Sequence, residues 1–213
     1  MKKNLLILGA GCIARDVADA VEDFPEYELA GFVVDVPPYE PGQLMLGKPI
    51  YWIDDIPFFD RSYRAICAIG RMTKIRIIQK VQELGMPFVN LIHPTARVSR
   101  SASIGEGTFI GVSVQIGAFT KIDNHVFINR GVMIGSEVSI KEYSVISAGA
   151  NIAGNVEIGA STFIGFGAMV LPHITVGNNC IVGAGAMVNR SFPDRVKVIG
   201  HPAEIIEIDI GGF

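Results

Sequence analysis

Cysteine is scarce. Cys12, Cys67 and Cys180 are the three cysteines in 213 residues, and no CxxC pair occurs. That spacing excludes a disulfide framework and a cysteine zinc site, and it fits a reducing compartment. Charge is sparse too, at 18% charged residues and a formal net charge of −3. The basic surplus of a nucleic-acid binder is therefore missing. No apolar run approaches the ~18–20 residues that cross a bilayer, so membrane insertion is not expected. The opening run Leu5 to Leu8 is too short for the apolar region of a signal peptide, and no small-residue cleavage site follows it. A cytoplasmic protein is expected. Yet 49% of the residues are hydrophobic, and the mean hydropathy is +0.39. Such hydrophobicity without a long run must be spread evenly, over one large domain or two small ones.

A repeat accounts for it. Stepping by six from Val98 meets Ile104, Ile110, Ile116, Ile122, Ile128, Ile134, Ile140, Ile146, Ile152, Ile158, Ile164, Val170, Val176, Val182 and Val188. Sixteen consecutive hexads thus carry Ile or Val, with no insertion. The residue two positions earlier is small or β-branched, as in Ala102, Thr120, Ser144 and Ala168, and the residue after is often Gly. A helix needs a period near 3.6 and an ordinary strand a period of 2. A period of six means a short flat strand followed by a tight turn, with the β-branched residue pointing into a narrow interior. Three hexads close one triangular coil, so residues 18 apart stack one strand spacing apart, about 4.8 Å. This is the hexapeptide β-helix pattern, about five coils long.

The first 93 residues read differently. Residues 4–8 form a buried strand, Gly9-Ala10-Gly11-Cys12-Ile13-Ala14 a tight turn, and Arg15 to Asp23 a helix. The glycines of such a G-x-G-x-x-A turn let backbone approach a phosphate at the helix N-terminus. Strands over Glu28–Val36, Pro49–Ile53, Arg64–Ile69 and Phe88–Ile92 and a helix over Thr73–Leu84 complete this part. Asp35 closes the second strand, placed to bind a ribose or base edge. Half a dinucleotide-binding fold has no second mononucleotide half and no partner domain for a hydride acceptor. It suits one nucleotide, such as the uridine or guanosine diphosphate of an activated sugar, and disfavours an oxidoreductase.

Four segments together carry a resemblance: ILGAG at the start, AIGRMTKIR, the junction NLIHPTARVS, and a prism ending in VIGHPAEI. The chain resembles, over nearly its whole length, the sugar O-acyltransferases of the sialic-acid O-acetyltransferase type (NeuD/PglD-like). The resemblance implies an α/β N-terminal half-Rossmann domain (1–93) followed by an all-β left-handed parallel β-helix (94–213). It implies a homotrimer that transfers acetyl from acetyl-CoA to the amino or hydroxyl group of a nucleotide sugar, for bacterial surface glycan synthesis. The nucleotide would then meet Gly11, Cys12, Ile13 and Asp35. Asn129 matches a sugar-contacting Asn, and Glu137 the acid that orients a catalytic His. Val145 stands where a second His faces the thioester, and Phe166 and Ala184 stand where CoA is bound.

The catalytic His itself is replaced by Ser136, and a Lys near the C-terminus by Glu204. A serine hydroxyl with no base beside it cannot take a proton at neutral pH, and losing a general base costs ~10²–10⁴-fold. Three readings follow: an acetyltransferase working through Glu137 or a base from elsewhere, a non-catalytic sugar-nucleotide-binding homologue, or a serine introduced in place of the His to trap a complex. The four histidines, His93, His125, His173 and His201, offer no replacement at the Ser136 turn. Nor do they supply the three converging His of a prism-type metal site, so no metal is expected.

Overall fold

The computed structural model describes residues 2–60 and 62–211. The chain divides into two compact units, Met1–Leu91 and Ile92–Phe213.

The first unit is built on β1 (Lys3–Leu8), α1 (Cys12–Ala20), β2 (Tyr27–Val34), β3 (Leu44–Met45), β4 (Lys48–Trp52), β5 (Tyr63–Cys67) and α2 (Lys74–Glu83). The sheet order is β3-β4-β2-β1-β5. β4, β2, β1 and β5 run parallel, and β3 is antiparallel to β4. β1 is central, which is why Leu5 to Leu8 are continuously apolar and fully buried. α1 turns Ala14, Val17 and Ala18 inward, and α2 does the same with Ile77, Ile78 and Val81, the spacing of one helical face. α1 begins at Cys12, three residues before the expected start at Arg15, because Gly11 already serves as its N-cap. The strand expected over Phe88–Ile92 is split. Phe88 makes a single bridge to Ala65, and only Leu91–Ile92 forms a strand.

The second unit is a parallel β-solenoid. Its two-residue strands lie in three sheets of six, five and eight strands, the last including Leu91–Ile92. Strands 18 residues apart pair in register. Ile116 lies between Val98 and Ile134, Ile134 pairs on with Ile152, and Ile152 with Val170. The expected stacking of one Ile on the next is therefore what is found. The residue two before each Ile also points inward: Val114, Val132, Ala150 and Ala168 are fully buried. The residue between points away from that interior; Met133 there is exposed, whereas Phe127 and Val145 are buried.

At several corners the inward small residue carries a hydroxyl, and each such hydroxyl has work to do. Thr120, Ser144 and Thr162 donate to the carbonyls of Gly135, Gly159 and Gly177 at 2.7–2.8 Å. The same oxygens accept from the N–H groups of Val138, Thr162 and Cys180. Buried backbone groups that the two-residue strands leave over are satisfied in this way. The solenoid ends in an antiparallel pair, Val196–Gly200 with Ala203–Ile208, which the six-residue period does not foretell.

Candidate functional site

The prism has three corner columns, and the residues singled out by sequence fall on two of them. Asn129 follows the strand Phe127–Ile128, and its Oδ1 accepts from the Arg130 N–H at 2.7 Å. Phe166 and Ala184 occupy this same corner on later coils, both exposed, and the Gly185 N–H donates to the Phe166 carbonyl. Ser136 and Glu137 follow Met133–Ile134 and so occupy the next corner, both exposed. Val145 lies on the face carrying Phe127 and Phe163, and its side chain is buried.

The turn amides at Ser136 and Gly154 lack side-chain acceptors that two turns of the third corner have. On the third corner the amide N–H groups of Glu106 and Ala160 donate to the side-chain oxygens of Asn124 and Asn178, each 18 residues on. The equivalent residue after Ser136 is Gly154, and after Gly154 it is Pro172. Neither offers a side-chain acceptor. Among the described residues the N–H groups of Ser136 and Gly154 therefore have no hydrogen-bond acceptor. Gly154 also lies so close that a Cβ there would stand 3.2 Å from the Ser136 carbonyl oxygen. Two unused donors one coil apart, beside the Glu137 carboxylate, can hold an oxygen on which negative charge develops. A signal for these donors was present in the sequence, in the absence of Asn at 154 and 172.

The histidines lie elsewhere or too far off. His125 is buried on the third corner and stacks on Tyr143 with ring centroids 5.7 Å apart. The buried His93 ring has Nδ1 2.8 Å from Thr95 Oγ1. His173 is exposed on the Ser136 corner, two coils beyond Glu137, and His201 is exposed near the C-terminus. No group of three or more potential metal ligands occurs among the described residues.

In the first unit, the expected nucleotide-contacting residues gather at the end of β1. Gly9 adopts φ +105°, and a Cβ there would collide with Ile69. Gly11 and Cys12 are exposed at the start of α1, where no side chain caps the helix. Ile13 is half-buried beside them, against Gly70. Asp35 is engaged by Arg76, whose guanidinium reaches the carboxylate at 2.8 Å and the Asp35 carbonyl at 3.1 Å. Next to this pair in sequence is Lys74, 1% exposed, whose pKa burial lowers to about 8. Burial raises the Cys67 thiol to about 11.

A solenoid of hexads paired 18 residues apart is the architecture of the hexapeptide-repeat class. The bacterial transferase hexapeptide (six repeats) family matches residues 155–190. Among solved structures, a histidine-to-asparagine mutant of perosamine N-acetyltransferase from Caulobacter crescentus, in complex with CoA and GDP-perosamine, is 31% identical. The match covers 96% of this chain and 97% of that one, with a TM-score of 0.89. The acetyltransferase domain of PglB from Neisseria gonorrhoeae FA1090, in complex with acetyl coenzyme A, is 27% identical over 97% and 100% of the two chains, with a TM-score of 0.86. WeeI from Acinetobacter baumannii AYE shares the fold at 22% identity, 95% and 99% coverage and a TM-score of 0.87. A comparison with curated proteins found no match. The chain belongs to the hexapeptide-repeat transferases, and its solved neighbours include sugar acetyltransferases.

Proposed function

We propose that this protein transfers acetyl from acetyl-CoA to an amino or hydroxyl group of a nucleotide-linked sugar, as a step in bacterial surface glycan synthesis. The observation that carries this reading is the end-to-end match, at 31% identity, to an acetyltransferase crystallised with CoA and GDP-perosamine. The parallel sheet and glycine turn of the first unit support a half-Rossmann nucleotide site at Gly11, Cys12, Ile13 and Asp35. The prism is read as left-handed, as in the family, and the protein as cytoplasmic.

The acceptor nitrogen or oxygen attacks the thioester carbonyl carbon, the carbon–sulfur bond breaks, and the CoA thiolate leaves. The amides of Ser136 and Gly154 would hold the carbonyl oxygen as charge builds on it. The proton lost by the acceptor goes to the Glu137 carboxylate, since the Ser136 hydroxyl is no base. Asn129 would contact the sugar. Phe166 and Ala184 would line the path of CoA, whereas the buried Val145 side chain offers it no surface. Phe166 and Ala184 lie on a different corner from Ser136. A face of the prism separates the two corners. A neighbouring copy can bring them together, which supports a homotrimer.

The test is release of free thiol from acetyl-CoA in the presence of UDP- and GDP-linked amino sugars. Release is expected from the protein as it stands, and Ser136→His should raise it by ~10²-fold or more. Sugar-nucleotide binding without thiol release in either form would support the non-catalytic homologue instead.

A further inference from the structure

The corner that carries Ser136 continues below it, through residues that the reaction as described leaves unused. One coil earlier stands Phe119, and one coil before that Arg100, with Arg97 on the adjoining face. Hydrogen bonds join the backbone and serines around Phe119 and Arg100. The Ser99 and Ser101 hydroxyls, which bracket Arg100, lie 3.1 Å apart, and the Ser101 oxygen accepts the Phe119 N–H at 3.0 Å. The Ala118 carbonyl in turn accepts the Glu137 N–H at 2.8 Å. The corner thus climbs from Arg100 to Phe119 to Glu137 in steps of one strand spacing.

Phe119 is unusual in this column. It holds φ +59° and is 65% exposed, whereas Glu137, Asn155 and His173, at the same turn position, are polar. A bulky side chain in the left-handed region is disfavoured, and an exposed ring gains nothing from burial, so packing within the chain does not account for it. Arg97 and Arg100 are both exposed, and neither guanidinium makes an ion pair or hydrogen bond among the described residues. With Ser99, Gln115 and Gly117 they border an open cavity of about 600 Å³, a size that suits a small ligand.

We infer that this edge is the acceptor track of the transferase, with Arg97 and Arg100 holding the sugar-bearing β-phosphate of a nucleoside diphosphate sugar and Phe119 stacking on its pyranose ring. The inference rests on the function proposed above. Guanidinium groups are the side chains best matched to phosphate oxygens. An aromatic face suits the C–H face of a sugar, above all one stripped of hydroxyls. Arg100 and Ser136 are two coils apart, roughly 10 Å. A β-phosphate and a reacting group on the far side of the same hexose are separated by a comparable span. The track therefore delivers the acceptor atom to the free amides and Glu137.

Binding titrations separate the parts. Affinities are measured for GMP, GDP and GDP-perosamine, and in parallel for UMP, UDP and a UDP-linked 4-amino sugar. The step from monophosphate to diphosphate reports the β-phosphate, and the step from diphosphate to sugar nucleotide reports the ring. The double variant Arg97→Gln/Arg100→Gln should shrink the first step by about tenfold or more and leave monophosphate binding unchanged. Phe119→Ala should shrink the second step by about tenfold and spare the first. Phe119→Gly should do the same while the Tm holds or rises, because glycine accepts the left-handed turn; this separates a lost contact from a damaged fold. Variants that bind every ligand as the unaltered protein does would overturn the track. So would a changed oligomeric state of the Phe119 variants on gel filtration, which would make the ring a contact between copies. Absence of both thiol release and nucleotide binding in the unaltered protein would instead sink the proposed function, and the track with it.

Discussion

At the scale of single residues, the buried Lys74 sets a pH dependence. Its pKa falls from 10.5 to about 8 because burial penalises the charged form. Between those values the unfolded chain binds more protons than the folded one, so stability rises with pH. Cys67 moves the other way, from 9.0 to about 11. The folded chain keeps that proton longer, and stability falls with pH across that window. Cys67 opposes Lys74 increasingly as the pH passes 9, so the rise due to Lys74 is clearest between pH 8 and 9. Urea unfolding at pH 8 and 9 should show stability increasing, and Lys74→Met should remove the increase; an unchanged slope in the variant would count against this account. The corner hydroxyls supply a second expectation. Thr162 donates to the Gly177 carbonyl and accepts from the Cys180 N–H. Thr162→Val leaves both buried groups without a partner, at a cost of about 1–3 kcal/mol in chemical denaturation. Neither role could be read from sequence. Lys74 reads as a polar residue in the first turn of an amphipathic helix, and the Arg76–Asp35 pair joins residues 41 apart. The Ser at 136 was legible, because the position is defined by the repeat and by the Asn129 seven residues before it.

At the scale of elements, the solenoid was almost wholly legible and the first unit only partly. Each hexad strand is two residues long and its place is fixed by one Ile or Val, so period and register are the same information. In the first unit, strand and helix ends moved by one to three residues, because caps and tertiary contacts decide them. The antiparallel Val196–Gly200 and Ala203–Ile208 pair escaped notice because it obeys a period of two, outside the hexads. The inward and outward positions of one strand give a sharp contrast. Ile134 is 4% exposed and its neighbour Met133 is 50% exposed. Ile134→Ala should cost about 2–5 kcal/mol and Met133→Ala less than about 1 kcal/mol, as measured by denaturant midpoints. Equal losses would mean that the interior column is not what holds the coils.

At the scale of the whole molecule, the functional reading asks for more than one copy, since the residues proposed to meet one acetyl-CoA lie on two corners of the prism. Sedimentation velocity should therefore report a trimer at assay concentration. A monomer with full thiol release would require both corners to be dispensable. The function itself was legible in outline from the sequence, because the segment order from ILGAG to VIGHPAEI spans both units. The geometry of the acceptor edge was not, since Arg100, Phe119 and Ser136 meet only through the stacking of coils.

The unbroken pairing of strands 18 residues apart constrains how such a chain can change in length. An insertion of one or two residues within a hexad would turn the inward row toward solvent for every coil beyond it. Eighteen residues added or removed would restore every neighbour relation. Viable relatives should accordingly differ by whole turns, or by excursions looped out at a corner, and the gap between phosphate grip and reacting atom would then vary only in discrete increments.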